Sequence, residues 1–246
     1  MGLQISGIFI DALPGQSCID QEAILEFEKI KLPNLSPEKI SIAFSDNKTL
    51  IVYDKLFENI LTEEKIFSDF EKQLNMLFPG ATKLSIVIND LIDFIGFSLT
   101  AGDEKIRTKA TFRGEIFIDY GILISEESNL YDQTIKAFEA NEVFYSNIQN
   151  KYGNLNPEDF QKAVLKIRDN LYLKKGAENK YNYANGLLDR FTSESLFLWF
   201  LKKDYLTIEE TTEFYQFQSK KINLIKDIRK LISQAYLLRI RGHDFC

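Results

Sequence analysis

Short apolar runs separated by turn residues dominate the first 127 positions of the chain. Alternating or unbroken apolar stretches of this length predict β-strands that are buried on one or both faces. The segments 45–48 and 101–103 separate neighbouring apolar runs and have the composition of hairpin connections. The pattern predicts strands at 3–10, 40–44, 49–53, 84–88, 94–100, 105–112 and 115–120.

Helical periodicity occurs twice among these strands. Asp20 can cap a helix that runs to about Lys29, and Thr62 can cap a second helix that ends at the turn 78–80. Strands mixed with a few amphipathic helices indicate an α+β fold. We therefore expect a mixed or antiparallel sheet with helices on one face and solvent on the other.

The remaining residues show helical spacing throughout. The triplet 156–158 has the form of a helix start, the segment 193–201 is apolar nearly all round, and 207–210 reads as a capping box that opens one long helix through Ile232. The polar stretch 174–186 is the clearest loop. The sequence thus predicts an α+β sheet domain at 1–127, followed at 128–246 by a helical domain or a helical extension packed on it.

Charge divides the chain at the same place. Up to Glu127 there are 12 basic and 21 acidic residues, and after it 18 basic and 15 acidic, which together give the net charge of −6. Nine of the 11 tyrosines lie in the second part. An acidic sheet domain could cover a basic partner, and the basic second part could bind an acidic one.

Several classes of site are disfavoured by composition alone. The chain has one histidine and two cysteines, which disfavours a Cys/His zinc site, and the lone histidine, His243, lies in a basic tail where an imidazole is more often idle than catalytic. Neither a Walker A motif nor a dinucleotide-binding glycine fingerprint occurs. We therefore expect no cofactor, and a non-enzymatic role is favoured.

Carboxylates leave one enzymatic alternative open. Asp90, Asp93 and Asp119 fall at or near the ends of predicted strands, where acids that bind Mg²⁺ often lie. If they converge, they could serve a metal-dependent phosphoester hydrolase. Such loose spacing is more typical of a solvated acidic rim.

A second alternative is nucleic-acid binding by the basic, tyrosine-rich part. Cationic and aromatic residues interleave there in the way that suits single-stranded nucleic acid. The isoelectric point near 5.1 argues against this function. The residues concerned are Lys174, Lys175, Lys180, Tyr181 and Tyr183.

One segment resembles a family of uncharacterised bacterial proteins. The similarity spans about 40 residues, from Asn89 to Glu127, and includes 94–97, Gly102-Asp103 and Arg107. In that family a histidine stands where this chain has Asn89, and the turn reads Asp-Gly rather than Gly-Asp. The resemblance implies the hairpin and a bacterial cytosolic protein, and it implies no activity.

These observations favour a non-enzymatic protein-binding protein of the bacterial cytoplasm. An immunity or antitoxin-like protein, or an adaptor of a bacterial conflict system, would have this character. The expected partner is a protein, with a second copy of the chain as a further candidate, and no membrane segment is predicted. We expect partner contacts on the loop 174–186, especially its lysines and tyrosines, and on the exposed hairpin, at Asp103, Lys105 and Arg107.

Overall fold

The computed structural model of the chain describes six main stretches and two isolated residues. The predicted helix after 156, the loop 174–186 and the expected domain boundary at 127/128 lie outside them. The described residues are 3–15, 25–56, 61, 67–113, 115–121, 124, 195–219 and 223–243.

A nine-stranded sheet forms the centre of the part of the chain that the structure describes. Its order is β2-β9-β3-β4-β1-β5-β6-β7-β8, and every neighbouring pair is antiparallel. The strands are β1 (Gln4–Ile10), β2 (Phe27–Ile30), β3 (Ser41–Ser45), β4 (Lys48–Val52), β5 (Thr82–Asn89), β6 (Phe94–Ala101), β7 (Glu104–Phe112), β8 (Glu115–Gly121) and β9 (Phe214–Phe217).

Helices cover both faces of this sheet. The helices are α1 (Asp69–Leu77), α2 (195–201), α3 (Tyr205–Thr211) and α4 (Leu224–His243). Phe70 of α1 and Ile228 of α4 belong to one buried cluster, and Phe197 of α2 and Ile208 of α3 belong to another. We call the two sides the α1/α4 face and the α2/α3 face. Among the described residues, no helix is both long and apolar enough to cross a bilayer.

The alternation of side chains along β1 explains why the sheet has two cores. Ile8 and Ile10 point to the α1/α4 face, whereas Ile5 and Phe9 point to the α2/α3 face. Because successive residues of a strand face opposite sides, an apolar run fills both layers. The Phe9 ring meets the Phe197 ring edge to face at 4.9 Å.

The expected fold class is therefore wrong in two respects. Helices lie on both faces of the sheet, not on one, and the second part of the chain is not a helical half. Its residues 214–217 form β9, which pairs with β2 on one side and β3 on the other. The helical interpretation failed because Phe214 and Tyr215 are buried toward opposite faces, which a strand achieves and a one-sided helix does not.

Three local predictions also change. Residues 27–30 form a strand rather than the end of a helix. Helix α1 begins at Asp69, where Ser68 and Glu71 form a reciprocal capping box, rather than after Thr62. The long helix expected from 207 ends at Thr211, and Asp204 caps it.

Candidate functional site

The predicted hairpin forms, but two of its three candidate contact residues are buried. Gly102 and Asp103 connect β6 and β7, and Gly102 takes the positive φ of 56° that such a tight turn favours. Asp103 is exposed. Lys105 and Arg107 are only 4% and 2% exposed, so the expectation of an exposed hairpin holds for Asp103 alone.

Lys105 forms an ion pair beneath α1. Its Nζ lies 3.2 Å from Oε1 of Glu71 and 5.4 Å from the centre of the Phe67 ring. The other carboxylate oxygen of Glu71 accepts a hydrogen bond of 2.7 Å from the Ser68 amide. Burial raises the pKa of Glu71, and the nearby Lys105 ammonium opposes that shift. The pair joins β7 to the first turn of α1 and has a structural role.

Arg107 makes its contacts within the sheet. Its guanidinium bonds the Asp119 carboxylate and donates to the Tyr120 carbonyl oxygen at 2.9 Å. Both partners lie on β8, the neighbouring strand. Arg107 therefore fixes β8 to β7 rather than facing a partner.

The three aspartates proposed as metal ligands do not form one cluster. Asp90 and Asp93 lie in the turn between β5 and β6, where Asp90 accepts a 2.8 Å hydrogen bond from the Leu3 amide. Asp119 is on β8 opposite Lys109, several residues along the sheet from that turn. Among the described residues, no group of three or more His, Cys, Asp or Glu side chains could hold a metal ion. The geometry gives no support to the hydrolase alternative.

The predicted nucleic-acid contacts fall in the part of the chain that is not described. These are Lys174, Lys175, Lys180, Tyr181 and Tyr183. The candidate site among the described residues lies at a different place in the fold.

One end of the sheet exposes a group of large apolar side chains. We call it the apolar end and define it as Leu91, Ile92, Phe112, Ile116 and Phe117. Leu91 is 72% exposed and Phe117 54%. The first two lie in the β5–β6 turn, and the others lie where β7 turns into β8. Ile116 is opposite Thr111 in the β7–β8 register and so points to the other face of the sheet from Phe112. Exposed large apolar side chains gathered on a folded protein are a common mark of an interaction site.

A β-bulge brings Phe117 to this surface. The β7–β8 register slips between Ala110 and Thr111, whose partners are Ile118 and Ile116, so Phe117 is the extra residue. Its ring lies 5.8 Å from the Phe94 ring, and Phe94 is directly opposite Phe112. Bulges redirect side chains in this way near functional surfaces.

The backbone at the apolar end adopts an uncommon conformation at two positions. Asp93 and Arg113 have positive φ values of 54° and 51°, and the Arg113 amide donates to the Asp93 carbonyl at 2.7 Å. Residues with side chains reach this region at a small energetic cost, and such positions are found preferentially at functional sites. The Arg113 guanidinium lies 5.0 Å from the Phe112 ring centre, which adds a cation to the aromatic surface.

The sequence pattern did contain a signal for part of this surface. The apolar pair Leu91-Ile92 stands between Asp90 and Asp93 in a turn, where apolar residues are uncommon. The bulge at Phe117 has no comparable sequence signature.

Comparisons of the chain with protein-family models, with curated proteins and with solved structures give no match. The functional assignment therefore depends on the described residues themselves.

Proposed function

We propose that the protein is a non-enzymatic binding protein whose protein partner docks on the apolar end of the sheet. The observation that carries this proposal is the exposure of Leu91, Ile92, Phe112, Ile116 and Phe117 in one region. A cytoplasmic protein of a bacterial conflict or regulatory system would suit this role. The low cysteine content is consistent with that compartment.

The composition of the apolar end matches the centre of a protein interface. Interface cores are enriched in aromatic residues and arginine and depleted in other charges. Phe112, Phe117 and Arg113 supply these residue types, and Asp90 and Asp93 provide a polar rim. A partner with a complementary apolar surface would remove these rings from water, which is favourable in proportion to the area buried.

Strand β8 offers a second means of binding the partner. It is the last strand in the order of the sheet, and within the described residues no strand pairs with its outer side. An edge strand can accept a strand from another protein through main-chain hydrogen bonds. We propose that the partner adds a strand beside β8 and places its apolar side chains over Phe112 and Phe117.

Affinity capture followed by reconstitution tests this function. The wild-type chain and the variant Phe117→Ala would be used as baits in native bacterial lysate, and the captured protein would be purified and its Kd measured. We expect the variant to weaken binding at least about tenfold, because buried aromatic residues are frequent binding hot spots.

Leu206→Ala is the matched control. Leu206 lies on α3 and is 53% exposed, close to Phe117 in exposure, but it is not one of the residues that form the apolar end. The control should bind as the wild type does. Equal affinity of all three proteins for the purified partner would refute docking at the apolar end. Size-exclusion chromatography with light scattering separates a second copy of the chain from a different partner.

A further inference from the structure

A cavity of about 510 Å³ lies toward the other edge of the sheet, between β2, β3, β9 and the helices α3 and α4. We call it the basic pocket. Strands β2, β9 and β3 stand at the opposite end of the strand order from β7 and β8. The basic pocket is therefore separate from the apolar end and independent of the function proposed there.

The register of β9 explains why a pocket forms here. Pairing between β3 and β9 stops at Ile42 opposite Tyr215, because β9 begins at Phe214, whereas β3 continues to Ser45. The chain before β9 comes from the end of α3 and runs apart from β3. A gap opens between them, and Phe44 and Ser45 of β3 line it.

Charge is concentrated in this gap. The described residues lining it include four cations, Lys29, Lys31, Lys203 and Arg239, and one carboxylate, Glu213. The chain as a whole has a net charge of −6, so the sign of the charge is inverted locally. Cations held together in one concave site repel one another and attract anions.

Two of these cations are neutralised within the chain. Lys29 pairs with Glu213 at 2.5 Å, and Lys203 pairs with Asp46 at 2.9 Å. The Arg239 guanidinium instead lies 5.7 Å from the centre of the Phe44 ring. Among the described residues, neither Arg239 nor Lys31 has a carboxylate partner. The pocket thus holds two cations whose charge is not offset by a neighbouring acid.

We propose that the basic pocket binds a small anion that carries a phosphate group. A phosphate dianion offsets two positive charges, whereas a single carboxylate offsets one. A guanidinium matches phosphate with paired hydrogen bonds, and a lysine ammonium adds a point charge. Ser45 and Thr212 also line the cavity. The volume is within the range of small-molecule sites, so the ligand is a metabolite or free phosphate rather than a polymer.

Calorimetric titration of the full chain at low ionic strength tests this assignment. The probes are glycerol 2-phosphate and inorganic phosphate, with glycerol as the neutral probe and glutarate as a dicarboxylate. We expect saturable binding of at least one phosphate probe and none of glycerol. Tighter binding of glycerol 2-phosphate identifies a phosphomonoester, and equal or tighter binding of inorganic phosphate identifies the free ion. Glutarate binding as tightly as the phosphate probes would overturn the phosphate assignment.

Variants locate the binding. Arg239→Gln should weaken binding of the phosphate probe by about tenfold or more, because it removes a charged hydrogen-bond donor. Arg241→Gln, an exposed arginine on the same helix, is the matched control and should bind as the wild type does. Lys31→Ala removes the second cation of the pocket and should also weaken binding of the phosphate probe. Because Lys31 is exposed, we expect this variant to fold even if Arg239→Gln does not. Undetectable phosphate binding, or equal affinity in Arg239→Gln, Lys31→Ala and Arg241→Gln, would refute the proposal.

Discussion

Replacement of Lys105 by methionine tests the buried pair that joins β7 to α1. The side chains of Lys105 and Glu71 are 1% and 7% exposed, and their charged atoms lie 3.2 Å apart. Removing one partner of a buried pair leaves the other charge without compensation, which costs about 3–5 kcal/mol of stability. We expect Lys105→Met to lower the free energy of unfolding by about 3 kcal/mol near pH 7. Lys83 also faces Glu71, but its ammonium donates to the Ala81 carbonyl at 3.1 Å.

The cost of Lys105→Met should depend on pH. Burial already raises the pKa of Glu71 above its usual value of 4.5, so the folded state binds this proton more tightly than the unfolded state does. Stability associated with Glu71 is therefore lost as pH rises from the unfolded pKa through the folded one. Without Lys105 the pKa of Glu71 rises further, and the loss extends to higher pH. The variant should therefore be less destabilised near pH 5 than near pH 8, because protonation of Glu71 removes the buried negative charge that Lys105 no longer offsets.

Urea unfolding of four proteins at both pH values measures this effect. They are the wild type, Lys105→Met, Glu71→Gln and the double variant. The double variant should lose less free energy of unfolding than the two single variants lose together. It should also lack the extra pH dependence of Lys105→Met. Lys72→Met, which removes an exposed pair with Asp69, is the matched control and should change stability by less than about 0.5 kcal/mol. The reasoning would be contradicted if Lys105→Met cost the same stability at both pH values. It would also be contradicted if the double variant lost as much stability as the two single variants together.

Three further predictions concern the framework around the sites. Ser68→Ala should lower the free energy of unfolding by about 1 kcal/mol in urea titrations, because it removes the N-cap bond to the Glu71 amide. Gly121→Ala should destabilise by at least about 2 kcal/mol, since Gly121 has a φ of 91° and a Cβ there would lie 2.1 Å from the Ile106 carbonyl oxygen. Phe97→Ala should cost about 3–5 kcal/mol and Phe117→Ala less than about 1 kcal/mol, because the first ring is buried and the second exposed. A small change in Gly121→Ala, or equal costs for the two phenylalanines, would show that these local descriptions are wrong.

The sequence by itself determined most of the strands of the first 127 residues. The alternation of apolar residues and the composition of the turns at 45–48 and 101–103 are local features, and the strands they predict form. The helix at 195–201 could also be predicted from local sequence. Its apolar residues are not all buried, because Leu198 and Trp199 are exposed. Such patterns can be read from neighbours in the chain because they depend on the period of one element.

Tertiary structure alone decided where the later residues go. Segment 214–217 enters the sheet between β2 and β3, whose paired residues lie 173 to 190 positions away in sequence. Helices from the same part of the chain cover opposite faces of the sheet. The apolar spacing of segment 214–217 suits a helix as well as a strand, so the choice depends on which distant surfaces remain to be covered. Tertiary structure also decided which residues form the pocket, the buried ion pair and the apolar end. Lys31 and Arg239 line one pocket because of the β9 register, Lys105 is buried because α1 lies over it, and Phe117 is exposed because of a bulge. A hydropathy pattern records the period of one element, whereas burial and charge clustering depend on which elements pack together.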